Sequence, residues 1–410
     1  MSRSSPLHRH QLSLDGVIDF IADVEPLKSR QRAHAQHRFY RIVNHFDPDT
    51  NDDALTQYSP PRLVRLTYQH ALSEQSRDHF LRAFFLALAL SIEDEQEVED
   101  DPEELRLPLN RFADYLMDNL FLPCKLLPSV FRASGTNFSS VKSSAKRTPQ
   151  PSPASDSAIK RAQEGSPPLG TLDRVSALRG ACLIRDHHRC VISRNFDRFE
   201  AVSRLRKQGD DAVDDDGNLL REDEYVVAAL EVAHILPHSF MTANPDPELT
   251  PSKQAALGIL NLLDHEIVRL IEGTDIDQPR NAITLTSDLH SLFGDFQIFF
   301  EPCSNPHTYR IDSFLPRILR QDPSFPITRT LYLSEHRTID PPSPRLLAFH
   351  CAIAHILHLS GAGEYIDGLL LDLDGQDIRA DGSTELDRLV RLRLRGFDDS
   401  VRQQVSAHEP

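Results

Sequence analysis

The stretch Leu230-Glu-Val-Ala-His234-Ile-Leu-Pro237, followed downstream by Asn281-Ala-Ile-Thr-Leu-Thr-Ser-Asp-Leu-His290, decides how this chain is read. The first stretch is apolar and rich in strand-forming residues up to its histidine. The second opens as a strand at Asn281 and passes into a helix that starts at Thr286 or Ser287, so His290 stands on a helix nine residues after the asparagine. The pattern predicts two strands and a helix gathered around two histidines. Strand side chains alternate, so Glu231 leaves the first strand on the same face as Ala233.

Around that core the chain is long enough for two or three domains. It has 410 residues, 40% of them hydrophobic and 26% charged, the composition of a soluble globular protein. The longest apolar run, Ala83 to Ile92, is about half of what a bilayer span needs, and the Ser-, Arg- and His-rich start carries no apolar signal segment. The expectation is an intracellular protein without a membrane partner. Five scattered cysteines (Cys124, Cys182, Cys190, Cys303 and Cys351) with no C-x-x-C pair argue against a disulfide framework or a zinc ribbon. The net charge of -16 opposes binding to a polyanion unless charge is segregated. It is: between Arg185 and Lys207, seven basic residues (Arg185, Arg189, Arg194, Arg198, Arg204, Arg206, Lys207) stand against three acids, Asp186, Asp197 and Glu200.

Apolar spacing of three and four predicts helices over Leu14 to Asp23, Arg30 to Phe46, Arg77 to Ile92 and Asn110 to Leu122. Residues 1–132 are therefore read as a helical N-terminal region. Residues 133–172, rich in Ser and Pro, bury too little to order and are read as a disordered linker. Within it Lys146-Arg147 and Lys160-Arg161 are spaced like a two-part nuclear import signal with a thin second half, and solvated charge on a tether is the plainer reading. The unit at 173–313 has a helix through Val175, Leu178 and Cys182, a short strand Cys190 to Ser193, a strand Val226 to Leu236, and a helical insertion from Pro251 to Gly273. It then has the strand and helix quoted above and a closing pair, Gln297 to Glu301 with Tyr309 to Asp312. Residues 314–410 read as a helical C-terminal region packing on this unit, notably at Arg345 to Leu359 and Glu385 to Arg395.

Four segments together, Arg189-Cys190-Val-Ile-Ser193, Glu231-Val-Ala-His234-Ile-Leu-Pro237, Asn281-Ala-Ile-Thr-Leu285 and Asp288-Leu-His290-Ser-Leu-Phe293, resemble an HNH endonuclease domain, in the branch common in fungal proteins and some modification-dependent restriction enzymes. The similarity extends over residues 185–312. It implies an α+β fold with a central ββα-metal (HNH, His-Me finger) domain between mostly α-helical flanks. The implied activity is metal-dependent cleavage of DNA, sometimes RNA, with one divalent ion drawn from Mg, Mn, Ni or Zn. By matching position, His234 is the general base that activates water, His290 a metal ligand, and Asn281 the brace that fixes the direction of His234. A neutral imidazole suits the first role near pH 7.

Two features depart from the family pattern. Many members place an aspartate or histidine, a second metal ligand, where this chain has Ala233. Glu231, on the same face, is the candidate substitute, and a solvent-facing or arginine-paired glutamate is the bland alternative. The 47-residue separation of His234 from Asn281 is also far more than a hairpin needs, so the insertion is expected to pack outside the finger. Asp264, His265 and Glu266 on it read as a solvated face. Arg189, Arg194 and His238 are candidates for phosphate contact, against a rival reading of arginines paired with nearby acids. His350, His355 and His358 fall on an amphipathic helix and read as structural. The imidazoles of His234 and His290 are expected to converge on one solvent-open pocket. Ala233 and the acidic balance keep two other readings open: a finger that binds without cleaving, and a structural zinc held by the two histidines.

Overall fold

The computed structural model describes residues 25–47, 58–93, 102–125, 152–154, 171–221, 226–237, 251–316 and 325–375. His238, the helices expected at Leu14 to Asp23 and Glu385 to Arg395, and the two basic pairs Lys146-Arg147 and Lys160-Arg161 lie outside them.

The chain enters through α1 (Ser29–Phe46), α2 (Pro60–Gln69), α3 (Glu74–Ala87) and α4 (Pro102–Leu116), the last extended by a π-turn, Met117–Phe121. Local chemistry sets the starts. Ser59 and Ser73 accept hydrogen bonds from the Arg62 and Ser76 amides at the heads of α2 and α3, and prolines fill the first turn of α2, where a missing N–H costs nothing. Helical periodicity then places Phe39, Phe80, Phe84 and Phe112 inward, where their rings meet edge to face. Two buried carboxylates stitch these helices together. Asp47 binds Arg62 at 2.9 Å, and Asp78 binds Arg32 at 2.6 Å.

After α5 (Thr171–Arg185) come β1 (Phe196–Asp197), α6 (Arg198–Gln208), β2 (Val227–Ala228) and β3 (Leu230–His234). The insertion forms α7 (Pro251–Leu263) and α8 (Ile267–Ile271), and is followed by β4 (Ala282–Thr286) and α9 (Ser287–Gly294). The closing strands are β5 (Ile298–Pro302), β6 (Thr308–Ser313) and β7 (Ile327–Thr330), then α10 (Pro344–Leu359) and α11 (Ala362–Gly375). The strands make three sheets: β1 parallel to β2, β3 antiparallel to β4, and an antiparallel meander β5-β6-β7. In the second sheet Glu231 faces Leu285 and His234 faces Ala282, and β4 runs straight into α9. The chain is thus a mixture of helix and strand with helical segments on both sides of the β3-β4 pair.

Four expectations change. Cys190 to Ser193 is not a strand but a tight turn: the Arg194 amide bonds the Cys190 carbonyl at 3.0 Å, and the strand begins at Phe196. Its buried apolar residues fill the core from the turn itself. Secondly, β7 adds a strand beyond residue 313, where helix was expected, because Ile-Thr-Arg-Thr suits an edge strand on β6. Thirdly, residues 152–154 of the expected linker are docked on α5, with the Ala154 amide on the Ser176 carbonyl at 3.1 Å and the Ala154 side chain against Ala181 and Ile339.

Fourthly, the insertion does lie outside the β3-β4 pair, but its expected solvated face at Asp264 to Glu266 is turned onto the N-terminal helices and α10. The Leu72 amide bonds the Leu263 carbonyl at 2.8 Å, the His265 amide bonds Ser76 Oγ at 2.9 Å, and Ile259, Leu260, Leu262 and Leu263 are buried in the shared core. Asp264 is not solvated. Its carboxylate is fully buried and held by Arg345 at the head of α10. The apolar stripe of α7 needs a partner surface, and the aromatic layer of the N-terminal helices is the largest one on offer.

Candidate active site

β3 stands between two helices, and its alternation sorts its side chains between them. Val232 packs with Leu178 and Cys182 of α5 and with Ala282 of β4. His234 has the same parity and meets groups on that side: its Nε2 lies 3.2 Å from Asp277 Oδ1, and Asp277 Oδ2 accepts from Arg174 Nε of α5 at 3.0 Å. Glu231 has the opposite parity and meets α9. Ser287 Oγ donates to Glu231 Oε1 at 2.8 Å, and His290 Nδ1 lies 2.6 Å from Glu231 Oε2. The two imidazoles thus lie in two carboxylate–imidazole pairs with separate partners, His234 with Asp277 and His290 with Glu231. Neither pair is sealed off. The His234 and His290 side chains are 19% and 26% exposed and Glu231 is 18% exposed, whereas Asp277 is 2% exposed.

Asn281 occupies the bracing position. Fully buried, it accepts the Leu236 amide at 2.9 Å and donates to the carbonyls of Leu236 at 3.1 Å and Ile276 at 2.9 Å. Its own carbonyl takes the Ile235 amide at 2.8 Å. The two residues that follow His234 are therefore tied to the start of β4, which fixes where β3 ends. Arg185 locks the same turn from below. Its buried guanidinium forms a bidentate pair with Asp186 and also donates to the Pro279 and Ala282 carbonyls. Burial works against its charge, but Asp186 overrides that, and the guanidinium is held above its ordinary pKa.

Arg189 and Arg194 are engaged within the fold. Arg189 pairs with Asp214 and bonds the Arg194 carbonyl at 2.7 Å. Arg194 donates to the Thr330 carbonyl and lies 4.2 Å over the Tyr332 ring. Both sets of contacts staple the loop around the 190–194 turn; Arg189 takes the rival reading of an arginine paired with an acid, whereas Arg194 is held by a carbonyl and a ring.

Residues 190–301 match the family model of HNH endonucleases. No curated protein and no solved structure matches the chain. The HNH match runs from the turn at Cys190, through both histidines and Asn281, into β5, and it suggests a nuclease-type function for this segment in general terms. HNH nucleases generally use a divalent metal. Within the HNH segment, the Glu231 carboxylate and the His290 imidazole are an oxygen and a nitrogen donor that approach each other with both side chains partly open to solvent, a pair that fits an ion whose remaining positions are taken by water. Among the described residues no three His, Cys, Asp or Glu side chains are grouped to hold an ion.

Four groups in and around the HNH segment escaped the sequence reading. Asp277 precedes Asn281 by four residues in a 3-10 turn, with no periodic signal to mark it. Ser287 reads as a helix start, and nothing in that signal shows that its hydroxyl faces Glu231. Arg174 and Arg179 sit on α5, far away in sequence. Arg179 donates to the Leu230 carbonyl at 3.1 Å; burial lowers its pKa, while the charges of Asp197 and Glu231 oppose that shift.

Proposed function

We propose that the chain is a metal-dependent HNH-type endonuclease that hydrolyses phosphodiester bonds of DNA, with β3, β4 and α9 as its ββα-metal finger. The observation that carries this reading is His234 at the end of β3, its Nε2 beside Asp277, its ring partly open to solvent and the chain after it braced by Asn281. With Nε2–H donating to Asp277, Nδ1 keeps its lone pair and takes the proton of an attacking water. Glu231 and His290 would hold the ion, which when bound supplies positive charge beside the scissile phosphate. Ser287 orients Glu231 through its second oxygen and so holds that carboxylate toward His290.

A second reading, a finger that binds nucleic acid without cutting it, draws on Ala233 at the usual ligand position and on the division of the two imidazoles between different carboxylates. One experiment separates the two. Full-length protein is incubated with supercoiled DNA and Mg, Mn, Ni or Zn, beside His234→Ala and Glu231→Gln. The nuclease reading expects nicking by the unaltered protein, a loss of about 10²-fold or more in His234→Ala with DNA binding retained, and loss of metal affinity in Glu231→Gln. Folded protein that binds DNA and nicks with none of the four ions rejects it in favour of the second reading.

A further inference from the structure

The basic stretch from Arg185 to Lys207 divides in the fold into two sets. Arg185 is buried against Asp186, Arg189 is paired with Asp214, Arg194 is held by Thr330 and Tyr332, and Arg204 bridges Glu200 and Asp215. Arg198, Arg206 and Lys207 remain, and all three are on α6. At 100° per residue they share one half of the helix with Phe199, Val202 and Ser203, opposite the buried Ala201 and the paired Arg204. These six residues line an open depression of about 480 Å³. Phe199 is 65% exposed and Val202 is 40% exposed. Among the described residues the Phe199 ring is left open on the same half of the helix as three cations, where it is available to a ligand that offers both charge and an apolar face.

We propose that this face of α6 binds single-stranded nucleic acid, with phosphates on Arg198, Arg206 and Lys207 and an unstacked base on Phe199. Charge selects the partner. In a chain of net charge -16 a face carrying three cations attracts a polyanion. The ring narrows the choice further, because a duplex offers phosphates but hides its base faces, whereas a single strand offers both. Arg198 already lies 5.6 Å from the Phe199 ring centre, placed to cover a base stacked there. The start of the helix is tied to the strand that carries the candidate site: Asp197, which caps it, accepts the amide of Leu230 of β3 at 3.4 Å. The inference rests on the nuclease reading for its choice of nucleic acid over other polyanions, and it names the single strand as the form held.

The test is fluorescence anisotropy of full-length protein with a labelled oligothymidylate and with a duplex of equal length, in EDTA so that binding is read without cleavage. The unaltered protein is expected to prefer the single strand. Phe199→Ala should weaken that binding about tenfold while Phe199→Tyr retains it. Arg206→Gln with Lys207→Gln should lower the salt slope of log K by about 1.4. All three positions face solvent, so thermal melts should stay unchanged and loss of fold is not confused with loss of binding. Absence of single-strand binding, equal binding of heparin and oligothymidylate, or unaltered affinity in Phe199→Ala would each overturn the proposal. The unaltered protein, assayed for nicking with metal beside these titrations, keeps the two readings apart: failure to nick with binding on α6 intact removes the nuclease and leaves this surface standing.

Discussion

His234 serves as a base only if one ring nitrogen keeps a lone pair aimed at water, and Asp277 makes that choice by accepting a hydrogen from the other. Asp277 is itself buried and held by Arg174, so it cannot swing away without breaking that ion pair. Asp277→Asn retains size and bonding capacity but offers an amide that suits either tautomer. It is expected to lower kcat for DNA cleavage by about 10²-fold with Kd for DNA unchanged, checked by single-turnover cleavage beside an anisotropy titration. A carboxylate that only held the fold would instead shift the melting temperature and leave kcat of the folded fraction as it was. Residue types and order made His234, Asn281 and His290 legible in the sequence. Asp277 was not, because its role comes from a 3-10 turn that delivers it to a strand more than forty positions earlier.

At the scale of elements, the join between β3 and β4 depends on Asn281, whose side chain replaces ladder bonds that the long insertion interrupts. Asn281→Ala leaves one amide and two carbonyls buried without their partner. A loss of about 2–4 kcal/mol is expected, read as a lower urea midpoint with an unchanged m-value. The elements whose signal is local were legible in advance. Alternation and β-branching gave β3 and β4, and three-four spacing gave α1, α5, α7 and α10. Those that depend on distant partners were not. The 190–194 turn is as apolar as a strand because it plugs the core, and β7 is four residues long and takes its identity from β6. The docking of α7 against α3 follows from which surface was free to cover it, and a stripe of apolar residues does not name its partner.

Over the whole molecule the N-terminal helices, the insertion, the HNH segment and α10 share one continuous core. None of the single helices in the described residues is long and apolar enough to cross a membrane, and α10 owes its apolar character to its place inside this core. His350 sits at its centre. It lies flat between Phe293, 3.9 Å away, and Phe296, 4.7 Å away, and its Nε2–H donates to the Phe293 carbonyl at 3.0 Å. Burial depresses its pKa to about 3, and burial likewise takes His70 down to about 4. Each unfolded imidazole takes up a proton near pH 6.5, which the folded one refuses until far lower. Stability contributed by a neutral buried ring is therefore fully present above about pH 6.5, and is lost as the pH falls below that value toward the folded pKa. Between pH 6.5 and 5 the loss from His350 alone is about 2 kcal/mol. Urea midpoints measured from pH 7.5 down to 5 should fall in the acid half of the range. His350→Phe, which preserves the stack while removing the titrating group, should flatten that fall by about the same 2 kcal/mol even if it starts from a lower stability for want of a partner on the Phe293 carbonyl. Parallel curves for the two proteins would mean that His350 binds its proton in the folded core, and would place the acid sensitivity elsewhere.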